Sequence, residues 1–421
     1  MDVLGYLVPY GLEWMNLLVR WLHVITGIAW IGASFYFVWL DNSLRPPRPG
    51  GELANKGVSG ELWAVHGGGF YNPQKYMVAP AELPADLHWF KWEAYSTWLS
   101  GFALLTIVYY FNAQAMMVDR SVADLTSLQA IGIGLGSLVV GWVVYDLLCR
   151  SKLGKHDLAF GIVIFALLVG ASWVLTHYLS GRAAYIHVGA MIGTIMVANV
   201  LMVIIPGQRK VVDTMRAGGK PDPVYGIRGK QRSVHNNYFT LPVLFIMISN
   251  HFAMTYRHEH AWAVLGMIMA AGVFIRHFFN LRHKGRVEWK YPAIGVLLLL
   301  AVAVAIVPQP PGIVGKAALA GAAAGGAANE AANAGARFAQ VQGIITERCV
   351  SCHAAHPTQP GFATAPAGVA LDDVHGISQN AAKIYQQSVQ LKAMPLANMT
   401  NMTDAERAQV AAWFEGGAKT N

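Results

Sequence analysis

The segment that decides the fold is residues 293–307, AIGVLLLLAVAVAIV, which carries no charged side chain and ends at Pro308. With the residues just before it, this segment approaches the length of about 20 apolar residues that crosses a bilayer. Residues 308–336, PQPPGIVGKAALAGAAAGGAANEAANAGA, follow and are almost entirely Ala, Gly and Pro. We expect them to form a tether without a core. The tether separates a membrane domain, residues 1–307, from a small C-terminal domain, residues 337–421.

The composition of the whole chain is typical of a protein embedded in a lipid bilayer. Hydrophobic residues make up 54% of the 421 positions and charged residues only 13%, whereas soluble proteins carry about 25% charged residues. The formal charge of +8 does not indicate a nucleic-acid partner, because Lys and Arg collect in the cytoplasmic loops of membrane proteins and no nucleic-acid motif is present. We predict an all-α fold with about eight transmembrane helices. The predicted spans are residues 14–40, 92–112, 127–148, 157–179, 183–205, 238–257, 261–281 and 290–307.

The distribution of basic residues predicts the orientation of these spans. Nineteen Lys and Arg residues lie in the odd-numbered loops and three in the even-numbered ones. Basic loops stay in the cytoplasm, so both termini and the C-terminal domain should lie outside, in the periplasm if the host is Gram-negative. No basic residue precedes Gly11, and the first apolar stretch is longer than the core of a signal peptide. We therefore expect this segment to remain as a span in the inner (cell) membrane.

The C-terminal domain carries the motif C-x-x-C-H at residues 349–353, CVSCH. This is the signature of covalent heme c attachment, in which Cys349 and Cys352 bind the two vinyl groups and His353 becomes an axial iron ligand. A thioredoxin-like redox pair is the alternative, but the following histidine and the lack of a βαβ pattern argue against it. Heme c is attached outside the cytoplasm, in agreement with the loop charges.

Three methionines are candidates for the second axial ligand. Met394 precedes Pro395 and lies 41 positions after His353, and small cytochromes c commonly place the ligand in such a Met-Pro step before their last helix. Met399 and Met402 are the alternatives. We predict His353 and Met394 as the metal ligands. A helix over residues 337–348, and a last helix that begins at the capping-box pattern of Thr403 and Glu406, should flank the heme segment.

Ionisable groups within predicted spans are costly and often functional. Arg20 and His23 lie on one helical face, and His23, His177, His187 and His251 all fall in the predicted outer half of the bundle. We take Arg20, His23, His187 and His251 as catalytic candidates. Two of the outer histidines would also suit a heme b that relays electrons to heme c. The alternative is that each histidine hydrogen-bonds to a neighbouring helix.

The connection over residues 41–91 is long and rich in aromatic residues, which argues against disorder. Its sequence His66-Gly67-Gly68-Gly69 allows two interpretations. The backbone N–H groups would suit an anion, or the glycines would form a turn between short helices.

Long segments of the chain resemble the membrane-bound urate oxidases, also called urate hydroxylases. The resemblance covers essentially the whole chain. The segments are RWLHVITGIAWIGASFYFVWLDNSL (20–44), GELWAVHGGGFYNPQKYMVAPAELPADLHWFKWEAYSTWLSG (60–101), RCVSCHAAHPT (348–358) and AMPLANMTNMTDAER (393–407).

This resemblance implies a membrane-bound enzyme of purine catabolism that oxidises urate to 5-hydroxyisourate. Electrons would pass to its own heme c, then to a respiratory cytochrome or terminal oxidase, so hydrogen peroxide would not form. The alternative function is an electron-transfer subunit that carries electrons from quinol or a partner protein to a terminal oxidase. Urate-dependent reduction of heme c separates the two.

Overall fold

A computed structural model describes residues 3–77, 79–307, 327–359, 362 and 364–420. Helices dominate these residues, and strands are confined to two short pairs. The α-helices are α1 (Val3–Ser43), α2 (Glu52–Asn55), α3 (Trp92–Leu105), α4 (Ala113–Met116), α5 (Ser127–Arg150), α6 (Asp157–Thr176), α7 (Gly181–Ala198), α8 (Ile205–Arg216), α9 (Pro223–Ser249), α10 (Ala253–Tyr256), α11 (Ala261–His283), α12 (Lys290–Ala305), α13 (Ala327–Arg348), α14 (Val374–Gln379), α15 (Ala381–Ile384) and α16 (Asp404–Glu415). The strands are β1 (Gly60–Glu61), β2 (Ala64–His66), β3 (Gly69–Tyr71) and β4 (Gln74–Lys75).

The predicted all-α membrane class is confirmed, because each predicted span falls wholly or mainly on a helix. Among the described residues, five helices are long and apolar enough to cross a membrane, and α12 is a shorter apolar helix. The five are Tyr10–Ser43, Ser127–Arg150, Asp157–Thr176, Gly181–Arg216 and Ala261–His283. The number of eight crossings stays a prediction.

Two helices differ from the predicted spans. Helix α7 continues through a π-helical segment, Asn199–Ile204, into α8. Helix α9 begins at Pro223, fifteen residues before the predicted start, because Asp222 caps it and a proline suits the first helical turn. It ends at Ser249. A hydropathy scan misses these polar extensions because it registers only the apolar part of each helix.

Helix α7 forms the centre of the bundle, which comprises α1 to α12. It contacts α3, α5, α6 and α9, and Tyr185, His187 and Ile192 on it are fully buried. Helix α1 packs on α3 and leaves large apolar side chains such as Trp21 and Ile28 exposed. An exposed apolar face of this kind suits contact with lipid.

The connection after α1 is ordered by strand pairs. Strands β1 and β4 are antiparallel, as are β2 and β3. Gly67 and Gly68 form the turn of the second pair with φ of 59° and 82°, a region that glycine occupies without strain. The glycine turn is thus present, but the expectation that it joins short helices is wrong, because Val65 pairs with Phe70 across a hairpin.

The C-terminal region packs α13 against α16. Its core contains Phe338, Val341, Ile345, Val410 and Trp413, all buried. The predicted capping box is confirmed, since the side chains and backbones of Thr403 and Glu406 bond reciprocally. Helix α13 begins at Ala327, within the predicted tether, and residues 308–326 of that tether lie outside the described residues.

Candidate functional site

The heme-attachment motif follows directly on the end of α13. Cys349 and Cys352 are free thiols. The Nδ1 of His353 lies 2.9 Å from the carbonyl oxygen of Val369, so Nδ1 must carry the proton that it donates. This bond fixes the ring and leaves the Nε2 lone pair available to a metal.

The surroundings of the two thiols fit a heme better than a redox pair. Cys349 and its neighbour Val350 pack against the apolar core of the C-terminal region. Burial raises the pKa of the Cys349 thiol to about 12 and also raises the pKa of Cys352. Redox-active cysteines instead need a lowered pKa. The donor set of two neutral thiols and one oriented imidazole is therefore suited to hold heme c.

The three candidate methionines have different environments. Met402 is 4% exposed and belongs to the apolar core, which is the position of a packing residue. Met394 and Met399 are half-buried. The segment that holds Met394 is fixed by Arg407, whose Nη1 donates to the Met394 carbonyl oxygen at 2.9 Å. Met394 stays the predicted ligand.

No hydrogen bond joins any two of the four catalytic candidates in the described part of the chain. Arg20 bonds to Asn16 on its own helix at 2.9 Å. The Nδ1 of His23 lies 3.1 Å from the carbonyl oxygen of Thr97. His251 lies in the turn after α9 and is exposed. The expectation that it lies inside a span is therefore wrong.

His187 is fully buried and both of its ring nitrogens have neighbours. Nδ1 donates to the Ala183 carbonyl oxygen at 2.8 Å, and Nε2 lies 3.3 Å from the Tyr110 hydroxyl. A Cβ on Gly134 would stand 2.4 Å from Nε2, so α5 covers this nitrogen. The residues around His187 do not fit a porphyrin, and the structure gives no support for heme b.

A polar cluster that the sequence analysis missed lies nearby. The Tyr109 hydroxyl donates to the Asn250 side-chain oxygen at 2.8 Å, and Arg182 donates to the Asn250 carbonyl oxygen at 3.3 Å. Arg20 lies on α1, which contacts the segment that carries Tyr109. Tyr109 and Tyr110 belong to a π-helical segment, Thr106–Tyr110, and such segments often occur at functional sites.

A second polar network lies at the other end of the bundle. The Arg232 guanidinium donates to Asp146 at 2.7 Å and to Asn199 at 3.2 Å. The Tyr145 hydroxyl lies 2.8 Å from His235 Nδ1. These side chains come from α5, α9 and the π-helical segment after α7, and their bonds hold these elements together.

The C-terminal region contacts the bundle at the end formed by Ser180–Arg182 and Tyr256–Arg257, which we call the outer end. Arg257 donates to the Ala393 carbonyl oxygen at 3.3 Å and pairs with Asp119 at 3.5 Å. A small cavity lies at this contact. It is lined by Ala115, Met116, Ser180, Gly181, Arg182, Tyr256 and Arg257 of the bundle and by Ala393 and Leu396.

A bundle of membrane-length apolar helices joined to a small heme-binding domain defines a membrane redox protein with its own cytochrome. The family model described as Urate oxidase N-terminal matches residues 9–307, and the model described as Cytochrome c matches residues 338–416. The chain belongs to the urate oxidase N-terminal family, with a C-terminal cytochrome c domain. No curated protein and no solved structure matches it significantly.

These matches confirm the resemblance to membrane-bound urate oxidases. They support an oxidoreductase with a urate-related function, a heme c in the cytochrome domain and electron transfer. The apolar helices are compatible with a multi-pass membrane protein.

Proposed function

We propose that this protein oxidises urate to 5-hydroxyisourate in its membrane domain and passes the electrons to heme c of its own cytochrome domain. Urate loses two electrons and two protons, and water supplies the hydroxyl group. The electrons continue to a respiratory cytochrome or terminal oxidase, so dioxygen is not reduced to hydrogen peroxide at the urate site. This reaction would be the first step in the breakdown of urate.

The observation that carries the proposal is the match of residues 9–307 to the Urate oxidase N-terminal family, followed by a Cytochrome c match over residues 338–416. The contact of the cytochrome domain with the outer end of the bundle agrees with electron transfer between the two. Ala393 and Leu396 line the cavity at this contact, and they flank the predicted ligand Met394 in the sequence. A substrate bound at the outer end would lie close to the electron acceptor. No second heme is then needed.

The residues of the cytochrome domain have defined roles in this proposal. Cys349 and Cys352 attach the porphyrin, His353 and Met394 hold its iron, and the bound heme supplies one-electron acceptance. The Val369 carbonyl oxygen keeps the His353 ring in one orientation. Arg407 positions the Met394 segment through its carbonyl oxygen.

Among the four catalytic candidates in the bundle, Arg20 and His187 suit a urate site best. Arg20 is a cationic group on α1, which contacts the π-helical segment that carries Tyr109. His187 bonds to Tyr110, a pair that can accept or hand on a proton. His251 stays a weaker candidate because it is exposed in the turn after α9, and His23 because its Nδ1 is bonded to the carbonyl oxygen of Thr97.

The proposed location is the inner membrane, with eight spans and the cytochrome domain on the outer side. The contact at the outer end supports this orientation. That end is formed by Ser180–Arg182 and Tyr256–Arg257, whose connections belong to the loops with few basic residues. The charge asymmetry and the domain contact are independent observations.

Anaerobic addition of urate to the purified, oxidised protein tests the proposal. We expect the spectrum of reduced heme c to appear with urate and not with a quinol. Reduction by quinol without any response to urate would support the electron-transfer subunit instead. In a Cys352→Ala variant the membrane domain should stay folded while urate-dependent electron flow to an acceptor is lost, and undiminished flow would show that the cytochrome is not the outlet.

A further inference from the structure

A cleft lies at the end of the bundle opposite the outer end, which we call the inner end. It opens between the residues that precede α3 and helix α8, which continues α7 away from the outer end. The cleft has a volume of about 240 Å³ and is lined by Trp89, Lys91, Arg209, Val212, Asp213 and Arg216. The cavity at the outer end has about 10 Å³, so of the two only the cleft has room for a ligand larger than water.

The cleft carries an excess of positive charge. Three cations, Lys91, Arg209 and Arg216, line it together with one carboxylate, Asp213, which leaves a net charge of +2. In the described part of the chain, none of these four side chains has an ion-pair partner within 4.0 Å. Arg209 and Arg216 are exposed and Lys91 is half-buried, so their N–H donors can reach a ligand.

The chain around the cleft does not neutralise this charge. Residues 206–232 hold seven basic and two acidic side chains, and of the basic ones Arg232 is paired with Asp146. Glu93 follows Lys91 by two positions, but it neither lines the cleft nor forms an ion pair among the described residues. An anion that approaches the cleft therefore meets a positive field.

The aromatic residues at the cleft are typical of a membrane–water interface. Trp89 packs against a buried cluster that contains Ala94 and Val197, so it forms a fixed wall of the cleft. Trp92, at the start of α3, is 65% exposed. Tryptophan is enriched where a bilayer meets water, and the cleft lies where the polar helix α8 follows the apolar helix α7. We therefore place the cleft at the level of the lipid headgroups.

Exposed apolar side chains lead from the cleft along both helices. On α3, Leu99 follows Trp92 by seven residues, which places the two on one helical face, and it is 57% exposed. Met202, in the π-helical segment before α8, precedes Arg209 by seven residues and is 56% exposed. A ligand whose polar part occupies the cleft would thus find apolar surface for hydrocarbon chains beside it.

We propose that this cleft binds the phosphate headgroup of an anionic phospholipid. The guanidinium groups of Arg209 and Arg216 offer N–H donors in a planar fork, which suits phosphate oxygens, and the Lys91 ammonium adds a third positive charge. Basic pockets at the membrane surface recognise headgroups in this way. A soluble phosphate ester would meet the same cations but would leave the apolar surface beside the cleft uncovered. The site does not depend on urate being the substrate.

The test compares two charge-matched double variants of the full-length protein with its heme. Arg209→Gln with Arg216→Gln removes two cations of the cleft. Lys220→Gln with Arg228→Gln is the control, because both side chains are exposed and neither lines the cleft. The probe is fluorescent phosphatidylglycerol in mixed detergent micelles at low salt, with zwitterionic phosphatidylcholine for comparison.

We expect wild-type protein to bind phosphatidylglycerol at least about tenfold more tightly than phosphatidylcholine. R209Q/R216Q should weaken the binding of phosphatidylglycerol by about 30-fold, and K220Q/R228Q by less than about threefold. Equal affinities of the two double variants would overturn the site. If R209Q/R216Q does not fold, judged by heme content and thermal unfolding, R216Q alone decides: binding about fivefold weaker supports the site, and unchanged binding overturns it.

Competition with glycerol phosphate separates a lipid from a soluble phosphate ester. Glycerol phosphate carries the same anionic group without acyl chains, so we expect it to displace the labelled lipid only when present in large excess. Displacement at an equal concentration would mean that the cleft takes a soluble phosphate ester, and the assignment to a lipid would then be wrong.

Discussion

At the scale of single residues, the identity of the second iron ligand can be tested with matched substitutions. Met394 and Met402 both lie in the last part of the cytochrome domain, but only Met402 belongs to the apolar core. We expect Met394→Leu to lower the midpoint potential of heme c and change its spectrum, because a methionine ligand raises the potential. Met402→Leu should leave the potential unchanged, since leucine conserves the volume of a core methionine.

A spectroelectrochemical titration of both variants measures the effect. If the Met402 variant had a lowered midpoint potential and the Met394 variant kept that of the wild type, Met402 would be the iron ligand and Met394 would not.

The glycine beside His187 allows a second test at this scale. A Cβ on Gly134 would approach His187 Nε2 to 2.4 Å, so Gly134→Ala should displace the ring from Tyr110. We expect urate-dependent reduction of heme c to slow at least tenfold if His187 takes part in proton transfer, a contribution of about 10²–10⁴. The heme spectrum should not change.

Gly132→Ala on the same helix is the matched control, because no atom lies within 4 Å of that Cβ. Stopped-flow absorbance measures both variants. Equal rates in the two would remove His187 from the reaction.

The candidate site was only partly predictable from the sequence. Cys349, Cys352 and His353 were found because heme attachment needs them within one short motif. Tyr109, Arg182 and Asn250 were missed because they come from three different elements and meet only through packing. No sequence pattern predicts the π-helical segment that carries Tyr109 and Tyr110.

At the scale of secondary-structure elements, an ion pair joins the two main helices of the cytochrome domain. Both Nε and Nη2 of Arg348 donate to one oxygen of Glu406, at 3.0 and 2.9 Å. Burial alone would raise the pKa of Glu406, but hydrogen bonds from Arg348 and Thr403 outweigh it and lower this pKa. The pair therefore links the end of α13 to the start of α16.

Because the folded state lowers the pKa of Glu406, its contribution to stability is present above the unfolded pKa of about 4.3. The contribution is lost as pH falls through the folded pKa. We expect Glu406→Gln to destabilise the cytochrome domain by about 1 kcal/mol at pH 7, with a smaller difference below about pH 4. Thermal unfolding followed at the heme absorbance measures the stability of both proteins. A stability difference that does not change with pH would argue against the ion pair.

The helices themselves were predicted with more success than their ends. Apolar composition located the helix under each predicted span, since about 20 mostly apolar residues are needed to cross a bilayer. The polar start of α9 was missed because Arg232 is buried against Asp146 and not in lipid. The hairpin over Ala64–Tyr71 was missed because its strands are only three residues long.

At the scale of the whole molecule, the chain contains a single C-x-x-C-H motif, and its three cysteines leave no second one. One heme c takes up one electron, while urate gives up two. In an anaerobic titration without an acceptor, we expect full reduction when half an equivalent of urate per protein has been consumed. An end point of one equivalent would mean that a second electron store exists elsewhere.

The single heme-attachment motif therefore divides the proposed reaction into two one-electron steps. In the proposed reaction, heme c must pass its first electron to an acceptor, or to the heme of a second protein molecule, before the same urate can give up the other. A slow acceptor would therefore prolong the life of a one-electron-oxidised urate in the membrane domain.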